Sequence, residues 1–142
     1  MRAAFLSQDR ADIGDAVRSL AQGMATPTQS HWEDLKHMGR YLSANRNVVM
    51  RYEEQDMQTQ IITAVDSDYA ADKTTRKSIT GMAQRIGSHV VKSTSNMQTS
   101  VGLNVSECEF YAIVHGSAHG LGMRSCMQDL GFEMEVIVES DS

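Results

Sequence analysis

The sequence is poor in several things. Its 142 residues include one proline, Pro27, two cysteines, one tryptophan and an aromatic fraction of 6%. Cys108 and Cys126 lie 18 residues apart with no CxxC pairing, so neither a zinc framework nor a disulfide scaffold is signalled, and free thiols are expected. No apolar run approaches the ~18 residues of a membrane span, and the N-terminus MRAAFLSQDR has no apolar signal-peptide core; an intracellular chain without a membrane partner is the expectation. Excess positive charge is also missing. The net charge is −5, which argues against a protein that coats nucleic acid through a basic surface and is compatible with a site that gathers carboxylates. Hydrophobic residues at 41% and charged residues at 22% are ordinary for a folded domain with a real core.

Helical spacing dominates the first 45 residues. Ile13, Ala16, Val17, Leu20, Ala21 and Met24 form one apolar series, which stops around Gly23 and breaks at Ala25-Thr26-Pro27-Thr28. Ser30 with Glu33 fits a capping box for a second helix, whose stripe is Trp32, Leu35, Met38 and Leu42. Then the period changes. Val48 to Glu53 alternates as a strand does, and Ile61–Val65 is a short β-branched run that suits a buried strand ending in Asp66-Ser67-Asp68. Ile79–Ile86 and His89–Ser93 read as strands around a Gly87-Ser88 turn, and Thr99–Leu103 as another. Ser106 with Glu109 fits a second capping box, opening a helix with the stripe Tyr111, Val114, Ala118 and Leu121 that runs to Leu130. Gly116, Gly120 and Gly122 should weaken it by ~1 kcal/mol each against alanine. Val136–Val138 is a last strand. Strands before a helix and one after it imply an α/β fold with a mixed sheet.

Acidic residues stand where these elements end: Asp66 after a strand, Glu107 in the first turn of a helix, Asp141 after the last strand. Carboxylates that converge at a sheet edge repel one another unless a cation joins them, and hard oxygen ligands suit Mg²⁺ or Mn²⁺. A pair of such ions is the common apparatus of phosphodiester hydrolysis. Capping and turn preferences also place Asp and Glu at such positions, so spacing alone does not select these three from Asp68, Asp72, Glu109 and Glu139. Glu109 reads as the capping partner of Ser106, and Asp68 and Asp72 as loop residues. His115 and His119, four apart on one helix, are a two-ligand face without a third ligand nearby.

Five segments carry a resemblance. Ala64–Asp72 followed by Arg76–Gly81 resembles the "SDADWAGD…RKSTSG" segment of copia-type LTR retrotransposon Pol polyproteins, where the ribonuclease H domain opens. Val91–Gln98 resembles its "ISWKSKKQ", and Leu103–Tyr111 its "LSSTEAEY". Arg10–Val17, and Pro27–Trp32 with Leu35-Lys36 and Arg40–Leu42, resemble motifs at the end of the reverse transcriptase. The order is collinear over nearly the whole chain. Tyr69 and Thr94 stand where the family has tryptophan.

The resemblance implies a division into residues 1–57, a helical segment like the C-terminal end of a reverse transcriptase and its connection, and residues 58–142, a ribonuclease H-like mixed sheet with a flanking helix, C-terminally truncated. It implies cleavage of the RNA strand of RNA–DNA hybrids, two Mg²⁺ or Mn²⁺ ions, and other parts of a Pol polyprotein as partners. By position Asp66, Glu107 and Asp141 match the family's catalytic, metal-binding acids. A fourth ligand would lie beyond Ser142, so activity is expected to be impaired in this chain by itself. The alternative is a catalytically inactive Pol remnant acting as a nucleic-acid or protein interaction module.

Overall fold

A computed structural model describes residues 2–141. The chain divides into two compact units, Met1–Tyr52 and Glu53–Ser142. The expected division after residue 57 lies slightly further along, and Gln55 shows what ties the intervening residues to the second unit. Its amide donates to Ile86 O at 3.0 Å and its Oε1 accepts from Ser88 N at 3.0 Å, clamping the turn between two strands.

The first unit is helical: α1 (Arg2–Leu6), a 3-10 turn (Ala11–Ile13), α2 (Gly14–Gln22) and α3 (Gln29–Ala44). Ile13, Val17 and Met38 form its core, with Ala3, Leu20 and Leu42 packed around them. Trp32 and Leu35, expected on the inward stripe, are exposed. The cap of α3 is Thr28, not Ser30: Thr28 Oγ1 accepts from His31 N, and His31 Nδ1 accepts from Thr28 N at 3.1 Å. Glu33 pairs with Lys36 instead, at 2.6 Å. Asp12 is gripped by Arg10 through two hydrogen bonds of 2.8 and 2.6 Å and by the Tyr41 hydroxyl at 2.8 Å. The guanidinium of Arg10 is the main cause that holds the Asp12 carboxyl down at about 2.

The second unit is mixed α/β. β1 (Gln60–Asp68), β2 (Ile79–Ile86) and β3 (His89–Met97) form an antiparallel meander. α4 (Val105–Asp129) then crosses to β4 (Glu135–Ser140), which pairs parallel with β1, giving the order β3-β2-β1-β4. The mixed sheet was expected, but two expected strands are absent. Residues 48–53 form no strand, and Val49 is 80% exposed: alternation without a sheet edge to pair with does not make a strand. Residues 99–103 are the irregular approach to α4.

The buried face of α4 also differs from the expected stripe. Val114, Ala118 and Leu121 are exposed, while Cys108, Ala112, Gly116 and Gly120 face inward at four-residue spacing. A Cβ on Gly116 would run into Val65 Cγ1, and one on Gly120 into Val136 Cγ1. The glycines that lower helix propensity thus let the helix lie close to β1 and β4. Val65, Met82 and Ala112 form the core beneath it. Gly116→Ala is expected to lower stability by ~1–3 kcal/mol through overpacking. Gly122→Ala, where a Cβ meets nothing within 4 Å, should raise it by up to ~1 kcal/mol. Urea unfolding of the two variants checks the opposite signs.

Candidate metal centre

The parallel pairing of β1 and β4 sets up the site. Their register ends at Val65 opposite Ser140, so the next residue along each strand is Asp66 and Asp141. β1 itself continues to Asp68 against β2. Asp66 is therefore not at the end of its strand, as the sequence suggests, but at the point where one of its two neighbours runs out. α4 enters the same edge and brings Glu109. One carboxylate oxygen from each of Asp66, Glu109 and Asp141 lies within 4.8 Å of the others. Among the described residues this is the one group of three or more acidic, histidine or cysteine side chains so placed.

Glu107, expected in this position, points elsewhere. Asn104 is the cap of α4: its Oδ1 accepts from Glu107 N at 2.9 Å. Glu107 Oε2 accepts from Leu103 N at 2.7 Å, and its Oε1 accepts from the Tyr111 hydroxyl at 2.8 Å. Glu107 thus does the capping work assigned to Glu109, and the helix begins one residue before Ser106. Starting the helix there turns Glu109 inward, where it is 7% exposed. A cap search that admits asparagine as readily as serine would have found this start.

The electrostatics of the two glutamates diverge accordingly. Hydrogen bonds from Leu103 N–H and the Tyr111 hydroxyl hold the Glu107 carboxyl below its ordinary value. Burial, then the charges of Asp66 and Asp141, push Glu109 up. Glu109 Oε2 is buried with no hydrogen-bond partner. Asp66 and Asp141 are exposed, and Asp66 Oδ1 accepts from Ser67 N at 2.8 Å.

The remaining candidates lie apart from this group. Asp72 organises its own loop, accepting from Thr74 N at 2.8 Å and the Thr75 hydroxyl at 2.8 Å. The rings of His115 and His119 stand 4.6 Å apart, and His119 Nδ1 lies 3.1 Å from Lys92 Nζ. Cys108 is buried with its thiol accepting from the Ser78 hydroxyl at 3.1 Å; both cysteines are free.

The donor set fits a hard divalent cation. Three carboxylates without nitrogen or sulfur suit Mg²⁺ or Mn²⁺ better than zinc or copper, and the unpartnered Glu109 oxygen is a lone pair that lacks a proton donor.

The chain is 28% identical over 134 residues to the retrovirus-related Pol polyprotein from transposon TNT 1-94 of Nicotiana tabacum, covering 94% of this chain and 10% of that protein. It is 28% identical over 130 residues to that from transposon RE1 of Arabidopsis thaliana, covering 92% and 9%. The chain is related to a segment of copia-type retrotransposon Pol polyproteins. This Pol-like chain spans about a tenth of the length of those relatives. It is also 28% identical over 104 residues to the secreted RxLR effector protein 161 of Plasmopara viticola, covering 73% of this chain and 72% of that one. No family model matches, and no solved structure does. No helix among the described residues of this Pol-like chain is long and apolar enough to cross a membrane.

The two glutamates predict opposite pH effects. A carboxyl with a raised folded pKa stabilises the fold below its unfolded value of about 4.5 and loses that contribution as pH rises through the folded value. Glu109→Gln is therefore expected to raise the metal-free melting midpoint at neutral pH, with the gain fading toward pH ~4. Glu107, with a lowered pKa, stabilises above its unfolded value, so Glu107→Gln should lower the midpoint at neutral pH. Thermal melts from about pH 4 to about pH 8 check both.

Proposed function

We propose that the unit Glu53–Ser142 is a divalent-cation-dependent ribonuclease H-like domain. It acts on the RNA strand of RNA–DNA hybrids and works as part of a Pol polyprotein. The observation that carries this reading is the convergence of Asp66, Glu109 and Asp141 with their oxygens within 4.8 Å. The likeness to Pol polyproteins over most of the chain supports the reaction class. The mixed sheet with the site at the end of the β1–β4 parallel pair is consistent with the fold that this class implies.

The residues divide the work. Asp66, from β1, and Asp141, just past the end of its parallel neighbour β4, present exposed carboxylates toward solvent, where a phosphate group can approach. Glu109 anchors the group from below; buried on α4, it has little freedom to turn away from the cation. Mg²⁺ or Mn²⁺ supplies, when bound, the positive charge that phosphodiester hydrolysis requires. In the metal-free protein the three acids repel one another, so cation binding relieves a cost already present in the fold. With two of the three ligands exposed, weak binding and slow cleavage are expected of the chain by itself.

The test uses a labelled RNA–DNA hybrid with Mg²⁺ or Mn²⁺, alongside thermal melts. Mn²⁺ at about a hundred times its dissociation constant should stabilise the fold by about 2.7 kcal/mol. Asp66→Asn and Glu109→Gln should abolish that gain and the cleavage, while Glu107→Gln should retain both. A chain whose melting is indifferent to Mn²⁺, or whose cleavage survives Asp66→Asn, overturns the reading. Binding without any cleavage would leave a cation site and remove the nuclease.

A further inference from the structure

We infer that Gln98 is a positioning residue for the carboxylate group, through hydrogen bonds from its side-chain amide to the residues adjoining Asp66 and Glu109. This inference rests on the cation-binding reading given above and names the side chain that sets its geometry. Gln98 follows the last residue of β3 and is 8% exposed. Its backbone N–H donates to Ser78 O at 2.8 Å, which fixes it beside the start of β2. Its Nε2 donates to Thr80 Oγ1 at 3.0 Å, to Cys108 O at 3.0 Å and, at 3.4 Å, to Ser67 Oγ. Ser67 is the residue after Asp66, and Cys108 the residue before Glu109. One amide therefore spans β1 and α4, the two elements that carry those acids.

The chemistry fixes the amide's orientation. The hydroxyls of Thr80 and Ser67 can donate or accept, but the Cys108 carbonyl only accepts, so the nitrogen must face it. That leaves Gln98 Oε1 buried with no partner. A merely space-filling glutamine would not need to bear that cost, since an apolar side chain of the same shape would avoid it. The amide opposes a real force: like charges on Asp66 and Glu109 push α4 away from β1 at this end of the helix. Further along the helix, Gly116 and Gly120 let it lie close to β1 and β4.

Gln84 provides the internal control. It is the same residue type in the same sheet, 1% exposed, and its Nε2 donates to Thr63 Oγ1 at 3.2 Å. Its hydrogen bond adjoins none of the three acids. Gln98→Met and Gln84→Met remove an amide of equal size, and both are expected to lower the melting midpoint.

The experiment titrates the full chain and the two variants with Mn²⁺ well below their midpoints, with folding verified by circular dichroism. It also compares the carboxyl carbon resonances of Asp66 and Glu109 at fixed pH without metal. Gln98→Met should weaken Mn²⁺ binding ~10-fold, as loss of a residue that orients metal ligands does, and should move both resonances. Gln84→Met should leave affinity and resonances as in the parent. Parental behaviour of Gln98→Met, or equal losses in both variants, overturns the inference. If the parent chain binds no Mn²⁺, the cation reading fails by itself and the resonances decide the role of Gln98. If Gln98→Met does not fold, Gln98→Asn, whose amide is one methylene shorter, takes its place with the same expectation.

Discussion

Three negative charges held within a few ångströms of one another constrain everything else in the second unit. Each pair of carboxylates at the observed separation of up to 4.8 Å repels by about 1 kcal/mol in a water-like surrounding and about 3.5 kcal/mol at an effective dielectric near 20. A fold that tolerates this needs rigid elements behind each acid. The parallel ladder aligns Asp66 with Asp141, so neither can slide without breaking the register. Gly116 and Gly120 let α4 lie close to β1 and β4, where Ala112 packs with Val65 and Met82. The amide of Gln98 donates to Ser67 Oγ on β1 and to Cys108 O on α4, bridging the two at the helix start. The cluster is thus costly to the fold by itself, the balance expected of a site built for function rather than for stability alone.

The choice between Glu107 and Glu109 turns on two residues of helix register. Both helices with an expected capping box start two residues before the expected cap: Thr28 rather than Ser30, and Asn104 rather than Ser106. In each case a serine three residues before a glutamate is a sound signal, but another cap-forming residue stands upstream and wins. For α3 the consequence is small, since Glu33 merely finds Lys36. For α4 it decides the site. The carboxylate nearer the start accepts from Leu103 N and the Tyr111 hydroxyl and is held below its ordinary value; the one further on turns into the sheet and becomes the buried acid.

The first unit shows a milder version of the same logic. Arg10, Asp12 and Tyr41 carry no local signal of an interaction with one another in the sequence. In the structure they form one hydrogen-bonded group, and Arg10 Nη1 also reaches Asn45 O at 3.1 Å. Residues 10–12 are thereby tied to the end of α3 over the core of Ile13, Val17 and Met38. Trp32 and Leu35 lie outside that core although they share a helical stripe with Met38, because a two-helix packing surface is narrower than the stripe.

Local pattern by itself determined the helices α2, α3 and α4, the main strands β1 and β2 with the turn at Gly87, and the mixed sheet, since periodicity and turn chemistry act over a few residues. It did not single out Asp66 and Asp141 from the neighbouring acids, which only the resemblance did. It misjudged residues 48–53, where alternation has no partner strand, and it misread the face of α4, where small residues rather than large ones are buried. Only the tertiary structure decided which glutamate joins the two aspartates. That choice depends on where α4 begins and how close glycine lets it come to β1, and both are settled by contacts between residues distant in the chain.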